Sequence, residues 1–312
     1  MLISQAREEY LRWLVTTKDL SPHTLRAYDG DLATLERHVG QDATVTGLNQ
    51  DCLIAFIDAQ RAVGLSPRSL KRRACGIRGF CRWLLLHDLL DSDPWLGATV
   101  PAARSRRLPH YLPSHELERL LSFLVDAAHV REHPGSAALL ERPYEATNLL
   151  AVALMLATGM RVGEVVEARN ADIDLREQSL RILGKGRRER QVFLTNEWIT
   201  NLTRAYVETR RALGVTHPQL LFNIHKAPLT PAALRTRLAK AAQEAGLITR
   251  LTPHVLRHTA ATQLIEAGVD IRYIQRLLGH ASLSTTEIYT HVSDGALRRV
   301  VSDADVLARL LR

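Results

Sequence analysis

The stretch NLLAVALMLATG, residues 148–159, is apolar on every side of a helix. A helix without a polar face has to be covered all round by other elements, so this segment is a buried helix. No apolar run in the chain approaches the roughly 20 residues needed to span a bilayer. Gly159 ends the helix or bends the chain after it.

Other segments organise around this one. Ser21-Pro22 is a helix start, an N-cap followed by proline at the first helical position. Leu25, Tyr28, Leu32, Leu35 and Val39 then recur at three- and four-residue steps, which predicts a helix over 21–39. Ser66-Pro67 repeats the start signal, with Leu70, Ala74, Ile77, Cys81 and Leu84 as its apolar stripe. Residues 91–113 carry four prolines and read as a linker. Ser114 caps a further helix with Leu117, Leu120, Leu121 and Leu124. Residues 126–147 read as polar and irregular. Over 172–194 the period changes: DIDL, SLRIL and RQVFL read as three short strands, the last two joined by GKGRRE. Helical patterns resume near 195 and run to the end. The 312 residues suggest about two domains. The expected architecture is mainly α: an all-α domain over 1–100, a basic linker over 101–113, and a mainly α domain over 114–312 with a small antiparallel three-stranded sheet and a C-terminal tail helix.

The composition is 46% hydrophobic and 24% charged with a net charge of +8, a globular, soluble, basic chain. The start, MLISQAREEYLRWL, has acids where a secretion signal has its apolar run, so a cytoplasmic location and no membrane partner are expected. Cys52, Cys75 and Cys81 have no metal or CxxC spacing and read as reduced core thiols. The basic surplus is placed rather than spread. On the helix after Ser66, Arg68, Lys71, Arg78 and Arg82 fall together away from the apolar stripe, with Arg72 nearby and no acid among residues 68–87. That face suits DNA phosphates, whose contacts release counterions; the alternative is a solvated basic face. Arg104, Arg106 and Arg107 in the linker either follow the far side of a duplex or decorate a hinge.

Six residues carry candidate chemistry, each weak alone. Arg161, in ATGMRVGE, can simply pair with Glu164. Lys185, in GKG, can be a solvated turn lysine. His254 and Arg257, in TPHVLRH, share one helix face. His280 follows LLG, where a histidine can cap a helix. Tyr289, in TTEIYTH, can be a core tyrosine. Together they make two arginines, a lysine, two histidines and a hydroxyl nucleophile. Arginine forks match phosphate oxygens bidentately. A tyrosine with an ordinary pKa of about 10 needs a base or a cationic field to attack. The set fits attack on a phosphodiester with its charge held by arginines. There is no GxxxxGK[ST] and no HExxH, and Val255 stands where a zinc protease has its glutamate. Asp172 and Asp174, or His254, His258 and His280, are weak metal sets. No metal and no cofactor are expected.

In order and spacing, ATGMRVGE, GKGRRERQVFL, TPHVLRH and LLGHASLSTTEIYTH resemble the tyrosine recombinases, the group of phage integrases and Xer recombinases. SPHTLRAYDGDL and SPRSLKRRACGIRGFCRWL resemble the family's N-terminal core-binding, SAM-like domain, so the likeness covers nearly the whole chain. The last motif is the most specific, because it fixes a glycine-histidine pair and then a tyrosine nine residues after that histidine. The resemblance implies that Tyr289 attacks the scissile phosphate, forming a 3′-phosphotyrosine and freeing a 5′-hydroxyl. It implies that Arg161 and Arg257 clamp the transition state and that Lys185 protonates the leaving oxygen. His254 then accepts the tyrosine proton or holds the phosphate, and His280 bonds a non-bridging oxygen. Glu164 supports. The expected partner is a double-stranded recombination site, held by a homotetramer on two sites, alone or with a second recombinase or accessory protein.

Two departures stand out. Residues 126–147 are longer than the compact connection usual in Xer proteins, either a contact surface or a neutral insertion. An arm-binding domain ahead of the core-binding one is not expected, which points to short core sites. In the tail, Val300, Val301, Val306, Leu307 and Leu310 lie on helical patterns. They pack on their own domain or, as the resemblance suggests, on a neighbouring protomer. The expected function is site-specific recombination by an Xer-like or mobile-element integrase. The alternatives are a type IB topoisomerase-like relaxer and a DNA-binding protein with a vestigial site.

Overall fold

The computed structural model describes residues 1–312 except 19, 21, 97–110, 131–134, 184–188, 280–293 and 311–312. The chain divides into two compact units, Met1–Arg107 and Leu108–Arg312.

The first unit is all helical among its described residues: α1 (Ile3–Thr17), α2 (Pro22–Val39), α3 (Gln50–Ala62) and α4 (Pro67–Leu86). The start of α4 is as its sequence dictates. Ser66 Oγ accepts from the Ser69 N–H at 3.2 Å and Pro67 opens the first turn. The predicted stripe Leu70, Ala74, Ile77, Cys81 and Leu84 is buried throughout. Ser21, the expected cap of α2, lies outside the described residues. Two readings need correction. Cys75 is exposed and only Cys81 is a core thiol. Trp95, within the stretch read as linker, is buried in this unit's core.

The second unit is built around the segment predicted to be its buried helix. It contains α5 (Ser114–Ala127), α6 (Ser136–Glu141), α7 (Pro143–Thr158) and α8 (Val162–Glu167). Then come β1 (Ile173–Asp174), β2 (Ser179–Leu183) and β3 (Glu189–Phe193). The rest is α9 (Glu197–Ala212), α10 (Pro231–Glu244), α11 (Pro253–Glu266), α12 (Ile271–Leu278), α13 (Asp294–Ala304) and α14 (Val306–Leu310). From Leu149 to Met155 every residue of α7 is at 0% exposure, and α5, α9, α11 and α14 pack around it. The sheet is antiparallel in the order β1-β2-β3, with Ile182 opposite Arg190 and Leu183 opposite Glu189.

Three local expectations change. Pro113, not Ser114, occupies the cap position of α5, and no side-chain cap bond forms. Leu112, at the end of the stretch read as linker, is fully buried and its N–H donates to Thr259 Oγ1 at 2.9 Å. The described part of 126–147 is not irregular: Ala128, Val130 and Leu139 are buried, and α6 packs against α9. The tail helix α14 lies against α5, α7 and α11 of its own unit, with Val306, Leu307 and Leu310 buried there. Docking that helix on a neighbour requires it first to leave this core.

Candidate active site

The site forms where the C-termini of α7 and α12 meet the N-termini of α8 and α11. Gly159 closes α7 in the left-handed region at φ 63°. That turn brings Arg161 to the start of α8, with Glu164 one turn further on. The Glu164 carboxylate accepts from the Arg161 N–H at 2.8 Å and from Arg161 Nη1 at 2.9 Å. The simple pairing open to Arg161 from sequence is therefore present. Its side chain stays 39% exposed, and Nη2 donates to the Gly279 carbonyl at 3.2 Å.

Arg257 comes from α11. Thr252 caps that helix by accepting from the Val255 N–H at 3.2 Å, and Pro253 opens it. Arg257 is buried, donating to the Gly159 and Leu278 carbonyls. It thereby ties the ends of α7 and α12 together. Both acceptors sit at helix C-termini, where the partial negative charge favours a cation. Burial, then the nearby charge of Arg161, push the Arg257 guanidinium down to about 10. It is still charged at neutral pH, held beside a like charge.

A cleft of about 510 Å³ opens beside these groups, lined among others by Arg161, Glu164, Leu183, His254 and Arg257. Three of the six sequence candidates, Arg161, His254 and Arg257, thus share one cleft, with His254 exposed at its edge. Lys185, His280 and Tyr289 lie outside the described residues. Their attachment points do not: Leu183, two residues before Lys185, lines the cleft, and Gly279, directly before His280, accepts from Arg161.

One residue of the site was missed from sequence. Arg190, on β3, donates to Glu164 through both terminal nitrogens, at 2.9 and 2.8 Å. The signal was there: strand alternation puts Arg190 on the same face as buried Val192, an unusual place for an unpaired cation. Burial pushes the Glu164 carboxyl up, but the Arg190 hydrogen bond and the Arg161 N–H outweigh it and hold it below the usual range. A depressed folded pKa contributes stability that is full above about 4.3 and lost as pH falls through the lower folded value. The Tm difference between wild type and Glu164→Gln is therefore expected to be largest near neutrality and to shrink below about pH 4. A difference as large at pH 3 as at pH 7 would contradict this.

The weak metal sets resolve differently. Asp172 pairs with Arg181 at 2.7 Å, and Asp174 accepts from the N–H groups of Arg176 and Glu177. The His258 ring meets Tyr111 edge-on. Among the described residues no three histidine, cysteine or carboxylate side chains group as metal ligands.

In the first unit the basic helix face is only partly available. Arg72 forks onto buried Asp31, which Arg73 also pairs with at 3.1 Å. Arg78 lies over the Trp95 ring, 5.0 Å from its centroid. Arg68, Lys71 and Arg82 are exposed without an ionic partner among the described residues. Arg104, Arg106 and Arg107 lie outside them.

Residues 111–295 match the phage integrase family, and residues 8–87 match the phage integrase N-terminal SAM-like domain. Over 303 residues the chain is 30% identical to tyrosine recombinase XerC of Listeria innocua, covering 94% of this chain and 95% of that protein. The chain belongs to the tyrosine recombinases of the phage integrase family. It is 31% identical over 299 residues to tyrosine recombinase XerD of the same organism, covering 94% of this chain and 96% of that one. A lambda integrase tetramer bound to a Holliday junction shares the recombinase's fold, at a TM-score of 0.68 and 17% identity over 93% of this chain and 80% of that one. The recombinase is thus an enzyme of site-specific DNA strand breakage and rejoining, and the topoisomerase reading is not favoured. No helix among the described residues is long and apolar enough to cross a membrane.

Proposed function

We propose that Tyr289 attacks a scissile phosphate, leaving a 3′-phosphotyrosine and a free 5′-hydroxyl. Lys185 protonates that leaving oxygen. His254 takes the tyrosine proton or holds the phosphate, and His280 bonds a non-bridging oxygen. Arg161 and Arg257 bind the phosphate oxygens as charge develops on them. The observation that carries this reading is the arginine pair itself. Arg257 is buried beside Arg161, and Glu164 is already shared with Arg190. Positive charge is in excess at a cleft, which is the electrostatic condition for an anionic phosphodiester. A phosphotyrosine keeps about the free energy of the broken bond, so rejoining to a new 5′-hydroxyl needs no ATP.

The working assembly in this proposal is a homotetramer on two double-stranded sites, alone or with a second recombinase or accessory protein. Its setting is Xer-like or a mobile element, and its location cytoplasmic. The likeness to XerC and XerD and the tetrameric integrase that shares the fold support this. The α4 face is proposed to lie on DNA, with the basic segment Arg104, Arg106 and Arg107 along the backbone. Arg68, Lys71 and Arg82, having no competing ionic partner among the described residues, carry most of the effect. Changing each to Ala is expected to lower the slope of log K against log salt by about 0.9. An unchanged slope in the triple variant would remove this face from the interface.

The test of the chemistry is covalent capture. The protein is incubated with sheared genomic DNA from its source and stopped with SDS, and the protein-linked ends are sequenced. Wild type is expected to link at a few shared positions and Tyr289→Phe at none. Linkage that survives in Tyr289→Phe would overturn the assignment. The identity of the linked positions separates a chromosomal site from the ends of a mobile element.

A further inference from the structure

The proposed mechanism leaves Arg190 without a role, although it is the main charge partner of Glu164. The Glu164 carboxylate is saturated. Each oxygen accepts one bond from Arg190 and one from Arg161, the latter through Nη1 to Oε1 and the backbone N–H to Oε2. A carboxylate has about four acceptor positions, so all are filled. With Arg190 forked across both oxygens, the carboxylate cannot rotate toward Arg161, and Arg161 can reach it edge-on through one nitrogen only. The other terminal nitrogen is left turned to Gly279, where the segment bearing His280 and Tyr289 begins. Arg190 also touches that junction. Gly279 caps α12 in the left-handed region at φ 62°, and a Cβ there would sit 3.0 Å from Arg190 Nη1. At its other end Arg190 belongs to β3, paired with Ile182 one residue before the cleft-lining Leu183. One side chain therefore links β3, the carboxylate that orients Arg161, and the end of α12 at Gly279.

Resting on the function proposed above, we infer that Arg190 is a positioning residue: by forking onto Glu164 it fixes Arg161 for the scissile phosphate. The fork does this, not the charge alone. Lysine keeps the charge and the stem but cannot bond both oxygens in one plane. Arg190→Lys is therefore the discriminating variant, and it retains the packing that supports folding.

The test compares wild type, Arg190→Lys, Arg190→Gln, Glu164→Gln and the Arg190→Gln/Glu164→Gln double variant. The readouts are DNA affinity and the rate of SDS-stable capture of genomic fragments at saturating protein. Misplacing a phosphate-binding group by about 1 Å costs on the order of 10²-fold in rate. Both Arg190 variants are expected to slow capture by about that factor, with affinity changed by less than about twofold. Glu164→Gln is expected to add nothing to Arg190→Gln, because the two act through one path. Wild-type capture by Arg190→Lys, or rate losses that multiply in the double variant, would overturn the proposal. A second probe is independent of Tyr289: thermal stabilisation by inorganic orthovanadate, which the Arg161–Arg257 pair should bind. Should wild type capture no DNA, because the tyrosine chemistry fails or a required partner protein is missing, the vanadate arm decides. The positioning role then stands if Arg190→Lys loses the vanadate shift, as Arg161→Ala does, and falls if it keeps it.

Discussion

Arg257→Lys is expected to lower the rate of covalent DNA capture by about 10²-fold or more, roughly 2.7 kcal/mol of transition-state stabilisation. Lysine keeps one charge but loses the planar fork. In the recombinase that fork spans two carbonyls, of Gly159 and of Leu278, and one ammonium cannot hold both in the same plane. The loss should therefore appear in the chemical step more than in DNA affinity, which is set mainly by contacts outside the cleft. Capture rates at saturating protein, set beside gel-shift affinities, measure the division. A lysine variant that captures DNA at the wild-type rate would mean that Arg257 is a structural tie between α7 and α12 and no part of the phosphate site.

Gly159→Ala is expected to damage both stability and chemistry. Gly159 stands at φ 63°, and an L side chain there costs about 1–2 kcal/mol. The added Cβ would also meet the buried Leu278 side chain, which must move within a packed core. Together these predict a loss of about 2–4 kcal/mol and a Tm lowered by roughly 5–15 °C for a unit of this size. The chemical consequence follows from the same two residues. The carbonyls of Gly159 and Leu278 are the acceptors of Arg257, so a shift at either displaces the guanidinium. Calorimetry checks the first effect, and capture at a temperature where the variant is folded checks the second. An alanine variant with wild-type Tm would show that the turn is not held as described.

Much of this was legible along the chain because the deciding signals are local. The all-apolar run over 148–159 has one physical solution, and α7 takes it. Ser66-Pro67 announces α4 through a hydrogen bond that closes within one turn. The change of period near 172 gives the sheet. What was not legible depends on partners far apart in sequence. Arg72 lies on the expected exposed side of α4, but the wheel cannot show Asp31 arriving from α2 to claim it. The fork of Arg190 onto Glu164 spans 26 positions and needs the β2–β3 register to exist. The helix α6 is six residues long, too short for its own periodicity to signal it, and it is held by packing on α9. The meeting of Arg161 and Arg257 was read through the family resemblance. Physically it follows from two turns, at Gly159 and Gly279, that bring the ends of α7 and α12 to one guanidinium.

The reaction proposed for the recombinase bonds Tyr289 to DNA. Its most direct test is to digest the captured adduct with nuclease and protease and weigh the peptides. The peptide carrying Tyr289 is expected to gain a nucleotide through its 3′-phosphate, with fragmentation placing the mass on the tyrosine. Nucleotide mass on another residue, or a captured adduct whose Tyr289 peptide is unmodified, would contradict it.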